Sequence, residues 1–244
     1  MKRYYFAVTN KCNRECPLCS CYAKPEKKTF LSVEAFESII AKDDVFEVQF
    51  EGGEPLLHPD LMKMTVIARN TGRCLKITLC TNGVLLPYRY NYNPVFEKLD
   101  REETIESLIQ YFKTFGEPLQ VKMSINSHLI EKDELHLLKS ELVRDAFNEL
   151  KKEGDYSLVF NVRRNKKPLS QDDDVGLLEE LQKRGLDKIS NIFFYQRYGR
   201  ASEREELDLP FIIKNPVEFY LINPDGSNYG TDLIERAEAM GELE

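Results

Sequence analysis

Short apolar runs alternate with longer amphipathic stretches along most of this 244-residue chain, and no other feature restricts its fold as strongly. The runs predict strands at Tyr4–Thr9, Val45–Glu51, Leu75–Thr81, Gln120–Asn126, Ser157–Arg163 and Ile189–Tyr195. The amphipathic stretches predict helices at Ser32–Ala41, Pro59–Thr71, Arg101–Phe115, Glu131–Glu153 and Gln171–Arg184. Ser32 precedes Glu34 as a helix start, and His58-Pro59-Asp60 sets a proline at a first helical position. Gly72, Gly116, Gly154 and Gly185 stand where helices should stop. Strand then helix, five times over, followed by a sixth strand, is the pattern of an α/β protein with parallel pairings.

Three segments depart from the rhythm. Gly83–Asp100 is a long loop with Tyr88, Tyr90 and Tyr92 at alternate positions. Arg163–Lys167 is a basic run directly after the fifth strand, read as a solvated face. Val217–Asn223 reads as a strand, Pro224-Asp225-Gly226 as a turn, and a short helix follows from Thr231. No linker rich in Gly, Ser or Pro divides the chain. The expectation is therefore one domain over 1–210 with a C-terminal extension over 211–244.

Composition narrows the function classes. With 42% hydrophobic and 31% charged residues the chain is an ordinary globular one, and its length lets it bury about 70–75% of its unfolded surface without disulfides. A net charge of −7 argues against a whole-surface nucleic-acid binder. The charge is uneven: Met1–Lys28 holds seven basic and two acidic residues, Asp225–Glu244 one basic and six acidic. No apolar run approaches the ~20 residues that span a bilayer, and the N-terminus lacks a signal peptide's apolar core, so a cytoplasmic location without a membrane partner is expected.

Of six cysteines, three stand close together in Cys12-Asn-Arg-Glu-Cys16-Pro-Leu-Cys19, with Cys21 just behind. One tight cluster in a chain without an export signal suggests a metal site rather than a disulfide framework. Three thiolates can hold three corners of an iron–sulfur cubane, whereas full protein ligation takes four. The fourth iron is then open, as a reactive metal requires. The alternative is a zinc site using Cys12, Cys16, Cys19 and Cys21 or a distant fourth ligand, although the second paired knuckle of a common zinc motif is missing. The loop follows the first strand, on the functional face of parallel β/α folds.

The second strand ends in Gly52-Gly53-Glu54-Pro55. Two glycines there let a ligand approach the backbone, and Glu54 adds a carboxylate suited to an ammonium group; alone, the tetrapeptide reads rather as a plain turn with a solvated glutamate. Together, Cys-x3-Cys-x2-Cys after strand one and Gly-Gly-Glu-Pro after strand two resemble the radical S-adenosylmethionine (radical SAM) superfamily. Thr81-Asn82-Gly83 and Gly199-Arg200-Ala201 are similar to weaker motifs of that superfamily, and the likeness covers Tyr4 to Ala201.

The resemblance implies a partial (β/α)6 TIM-like barrel carrying a short strand-turn-helix extension. It implies a [4Fe–4S] cluster on Cys12, Cys16 and Cys19, and SAM on its open iron. Leu18 would lie against the adenine. Gly52, Gly53, Glu54 and Pro55 would receive the methionyl ammonium. Ser124 matches a polar position near the ribose and carboxylate, with Asn161 and Arg163 as further contacts or as polar residues satisfied within the barrel. The implied chemistry is reductive cleavage of SAM to a 5′-deoxyadenosyl radical, which takes hydrogen from a substrate; the electron comes from a donor such as flavodoxin or ferredoxin. No side-chain acid or base is needed, so His58, His128 and His136 carry no assigned chemistry, and His58 reads as a helix cap. Cys21, Cys74 and Cys80 are either core thiols or hydrogen donors.

Phe219–Tyr229 resembles the strand and turn of the SPASM extension of peptide-modifying radical SAM enzymes, yet no cysteine follows Cys80 to hold an auxiliary cluster. A peptide substrate is the leading expectation. A small molecule or nucleotide of cofactor biosynthesis is the second, and a zinc-binding interaction module is the alternative from another class.

Overall fold

The computed structural model describes residues 1–91, 98–164, 171–210 and 218–244. In chain order its elements are β1 (Lys2–Thr9), α1 (Val33–Ile40), β2 (Phe46–Gly52), α2 (Leu61–Asn70), β3 (Cys74–Thr81), β4 (Tyr90–Asn91), β5 (Lys98–Leu99), α3 (Arg101–Lys113), β6 (Leu119–Ile125), α4 (Ser127–Lys132), α5 (His136–Glu153), β7 (Tyr156–Arg164), α6 (Gln171–Lys183), β8 (Ser190–Phe194), β9 (Glu218–Ile222) and α7 (Leu233–Glu242). The class is α/β, of the partial TIM-like barrel type, with parallel strands joined through helices. Two compact units divide it: Met1–Thr81 with Phe194–Glu244, and Asn82–Phe193.

The first unit is built on β1, whose buried Tyr4, Phe6, Ala7 and Val8 leave it no solvated face. It pairs in parallel with β2, Tyr4 opposite Val48 and Phe6 opposite Phe50, and β2 pairs in parallel with β3. Parallel neighbours need crossovers, supplied by α1 and α2. Ser32 caps α1 by accepting the Ala35 N–H at 3.1 Å, and Phe36 from that helix packs between Phe6 and Phe50, at 4.9 and 5.8 Å between centroids. Each such ring contributes about 1.5–3 kcal/mol by burial. The segment expected as an extension brings β9 parallel to the other side of β1, Tyr4 opposite Tyr220. The turn at Pro224-Asp225-Gly226 follows, and α7 is capped by Asp232.

In the second unit β6 and β7 pair in parallel from Leu119–Tyr156 to Ile125–Val162, with α5 as crossover. Strict alternation along β6 sends Leu119, Val121, Met123 and Ile125 into the core. Phe112 of α3 packs on Phe147 of α5, 4.8 Å between centroids.

Three expectations are corrected here. Pro59 is not a first helical position: it lies before α2, whose N-cap is Asp60. The single helix expected at Glu131–Glu153 is two, because Asp133 accepts the Leu135 N–H at 3.2 Å and offers the backbone a local turn in place of a continuing helix. Gly154 does end α5, as expected, in an extended conformation at φ −173°, while Gly72, Gly116 and Gly185 take the left-handed one. The loop expected over Gly83–Asp100 contains the short antiparallel pair β4–β5. Tyr92, the Asn165, Lys166 and Lys167 part of the basic run, and Val217 lie outside the described residues.

Candidate functional site

Because β1, β2 and β3 are parallel, their carboxyl ends share one edge of the sheet in the first unit. The loop carrying Cys12, Cys16, Cys19 and Cys21 leaves that edge after β1. Its base is closed by a Thr9 Oγ1 donation to the Thr29 carbonyl at 2.8 Å and by the Cys12 N–H bonded to the Lys24 carbonyl at 3.2 Å. The Cys19 N–H closes a turn on the Cys16 carbonyl at 3.2 Å. Cys12 is buried, Cys16, Leu18 and Cys19 are half-buried, and Glu15 and Pro17 face solvent.

Gly52-Gly53-Glu54-Pro55 meets this loop through its backbone. The Gly53 N–H donates to the Thr9 carbonyl at 2.7 Å and the Glu54 N–H to the Lys11 carbonyl at 2.9 Å. Gly52 is left-handed at φ +113°, and a Cβ there would sit 2.5 Å from the Thr9 oxygen; at Gly53 it would run into the Lys11 carbonyl. Glycine is thus demanded by the contact between the two motifs, before any ligand is considered. The Glu54 side chain is fully buried. Its Oε1 accepts the Leu56 N–H at 3.2 Å and the Thr81 hydroxyl at 2.8 Å, so it caps the 3-10 turn that begins at Pro55 and ties β2 to β3. A solvated glutamate in a plain turn is not what the chain builds.

Electrostatics follow from this burial. Desolvation pushes the Cys12 thiol up to about 12, with the charges of Glu54, Cys19 and Cys16 adding to the rise against a backbone hydrogen bond at Arg14. Burial and Cys19 raise Cys16 to about 11, while Arg200 and Arg14 oppose them. Burial and Cys19 likewise raise Cys21 to about 11, opposed by Arg236. These thiols therefore sense one another, and a metal binding them must displace protons.

The donor set fits a cubane. It offers three thiols on one short loop beside a glycine-lined backbone. A cubane takes one thiolate per iron, so its ligands need not meet at one point; among the described residues no three His, Cys, Asp or Glu side chains do so.

In the second unit Ser124 and Asn161 are register partners across β6 and β7, both half-buried on the face opposite the Met123 and Phe160 core side chains. Arg163, two residues beyond Asn161 on the same face, lays its guanidinium over the Phe193 ring at 5.2 Å. His136 is buried with Nε2 3.0 Å from the Ser124 carbonyl. His58 bonds the Leu31 carbonyl through Nε2 at 2.9 Å and accepts the Asp60 N–H at Nδ1, so it braces the turn before α2 and is not the helix cap expected of it, the N-cap being Asp60. Cys74 bonds the Lys76 carbonyl at the far end of β3 from this edge. Among the described residues no helix is long and apolar enough to cross a membrane.

A family model for the radical SAM superfamily matches residues 6–195. The chain belongs to the radical SAM superfamily. The superfamily's cofactors are a [4Fe–4S] cluster and SAM, as the resemblance of the two motifs implied. Among curated proteins the chain is similar to GTP 3′,8-cyclase of Chlorobaculum tepidum, 37% identical over 83 residues, which covers 33% of this chain and 25% of that protein. It is also similar to PqqA peptide cyclase of Gluconobacter oxydans, 35% identical over 98 residues, covering 38% of this chain and 25% of the relative. Among solved structures it resembles Streptococcus suis SuiB bound to precursor peptide SuiA, with a TM-score of 0.57 and 15% identity over 99% of this chain and 61% of that one. It resembles anSMEcpe with bound AdoMet and Cp18Cys peptide at a TM-score of 0.50, with 15% identity over 80% of this chain and 51% of the other. The chain thus spans about a quarter of these curated relatives and between half and two thirds of these structures.

Two features escaped the sequence. Arg236, the one basic residue of the acidic C-terminal stretch, is buried on α7 and pairs with Glu51 at 2.5 Å and Asn223 at 3.2 Å, next to Gly52 in sequence through Glu51. Its isolation among acids was the available signal. Arg200 of Gly199-Arg200-Ala201 reaches the cysteine loop itself, which a weak motif could not announce.

Proposed function

We propose that this chain is a radical SAM enzyme acting on a peptide, as in the maturation of a ribosomally made peptide. When bound, the reduced cluster and SAM supply a 5′-deoxyadenosyl radical that abstracts hydrogen from the substrate. The observation that carries this reading is the backbone junction of the two motif loops, Gly53 N–H to Thr9 and Glu54 N–H to Lys11. Cys12, Cys16 and Cys19 hold the cluster. Gly52, Gly53, Glu54 and Pro55 orient the methionyl ammonium, with the buried Glu54 fixing the loop that presents its carbonyls. Leu18 lies against the adenine, and Ser124, Asn161 and Arg163 offer polar contacts from β6 and β7. The barrel is residues 1–210 and the extension 211–244. An external one-electron donor such as flavodoxin or ferredoxin and a cytoplasmic setting, where thiols stay reduced, complete the reading.

Likeness to a peptide cyclase and to structures bound to peptides favours the peptide class. Likeness to GTP 3′,8-cyclase favours a second reading, a nucleotide or other small molecule. The deciding assay incubates the anaerobically reconstituted, dithionite-reduced protein with SAM and candidate peptides or nucleotides, following 5′-deoxyadenosine and substrate mass. The expected result is 5′-deoxyadenosine from the native chain, none from Cys16→Ala, and a mass change confined to a peptide. Absence of 5′-deoxyadenosine under every condition contradicts the activity; a change confined to a nucleotide selects the second reading.

A further inference from the structure

We propose that Arg200 is a positioning residue: it clamps the cysteine loop by its backbone, holding Cys16 and Cys19 where they can take up the cluster. The inference rests on the radical SAM reading only for what the loop carries. The clamp itself stands on hydrogen bonds.

Four carbonyls of one irregular loop converge on this residue. The Arg200 N–H donates to the Cys19 carbonyl at 2.9 Å. Its Nη1 donates to the Cys16 carbonyl at 2.8 Å. Its Nη2 donates to the Ala23 carbonyl at 2.9 Å and the Tyr22 carbonyl at 3.4 Å. Glu15, on the outer side of the same loop, lies 3.3 Å from Nη2. No helix or sheet ladder serves these carbonyls: the Cys19 N–H closes one turn on Cys16, and Arg200 supplies the other bonds given above, through its backbone N–H and its guanidinium.

The residues around Arg200 are built for that contact. Gly199 is left-handed at φ +62°, and a Cβ there would stand 2.6 Å from the Cys19 carbonyl oxygen. The backbone before Arg200 is therefore pressed directly on the loop. Tyr22, whose carbonyl accepts a hydrogen bond from the Arg200 fork, is held at φ +51°, a conformation that persists in a bulky residue only where its surroundings enforce it. Its hydroxyl lies 3.4 Å from the Ser202 hydroxyl, a second tie to the same turn. A planar guanidinium with a fixed fork can bridge Cys16 and Ala23 together, whereas the ammonium of a lysine is a single point and holds only part of the set.

The test is amide hydrogen exchange of the metal-free chain, followed by measurements on the anaerobically reconstituted protein. In Arg200→Gln, amides of residues 12–24 exchange roughly tenfold faster or more, as expected when charge-assisted hydrogen bonds are lost, while those of β1 and β2 keep their native rates. Arg200→Lys lies between the native chain and Arg200→Gln, and it carries the comparison alone if Arg200→Gln does not fold. After reconstitution, the variants show an altered resonance spectrum of the reduced cluster and a raised KM for SAM. Unchanged exchange at 12–24, or acceleration spread evenly through β1 and β2, overturns the clamp. If the native chain takes up no iron, the radical SAM reading fails by itself, and exchange in the metal-free chain still decides whether Arg200 holds the loop.

Discussion

Gly53 and Gly72 show how differently one residue type can be required. Gly72 is left-handed at φ +67° with open space around its missing Cβ, so a side chain there meets only backbone strain. Gly53 has no such φ, but its missing Cβ is the room in which the Lys11 carbonyl sits. Gly72→Ala should cost about 1 kcal/mol, the left-handed penalty of an ordinary residue. Gly53→Ala should cost about 2 kcal/mol or more, because it forces the cysteine loop off the end of β2. Urea denaturation gives both values, and SAM binding separates them further, being kept in Gly72→Ala and lost in Gly53→Ala. Equal costs with SAM binding intact would show that the junction of the two motifs is not what Gly53 protects. The same scale explains Glu54: a carboxylate taking two protein donors in the core is a structural strut for the loop that leaves β2.

At the scale of elements, α2 begins where His58 directs it. The ring accepts the Asp60 N–H at Nδ1, so Nε2 carries the hydrogen donated to Leu31, and Phe30 meets the ring edge-on at 5.4 Å. Burial holds the proton affinity of this imidazole below its ordinary value of 6.5, outweighing the Leu31 bond and Asp60 that favour the charge. The unfolded chain therefore binds the proton more readily than the folded one. Stability from the neutral ring is complete above about pH 6.5 and declines as the pH falls below it. Urea midpoints at about pH 7.5 and about pH 5.5 should drop toward acid in the native chain and drop less in His58→Gln. An identical drop in both would remove His58 from the account.

Much of this level was legible beforehand. The six expected strands lie within two residues of those observed, because apolar runs and the stops at Gly72, Gly116 and Gly185 are local signals. The break at Asp133 was hidden, since a side-chain turn competes with a helix without disturbing its apolar period. The parallel pairing of β9 with β1 and the Arg200 clamp were hidden for another reason. They join residues at opposite ends of the chain, 184 positions apart for Arg200 and Cys16, and no local pattern encodes the partner.

At the scale of the whole molecule, a chain of net charge −7 carries seven of its basic residues in Met1–Lys28, the segment that includes the cysteine loop. The superfamily was legible from the two front motifs, and the family model over residues 6–195 agrees. Substrate class was less legible, since it depends on side chains from many loops and the matched relatives extend well beyond this chain. The most direct test of the central claim is the electron paramagnetic resonance spectrum of the anaerobically reconstituted, dithionite-reduced protein, recorded with and without SAM. Three thiolates and an open iron predict about four irons per chain and a cluster signal whose g values move when SAM is added. A chain that holds zinc without iron, or a cluster signal that SAM leaves unmoved, would contradict it.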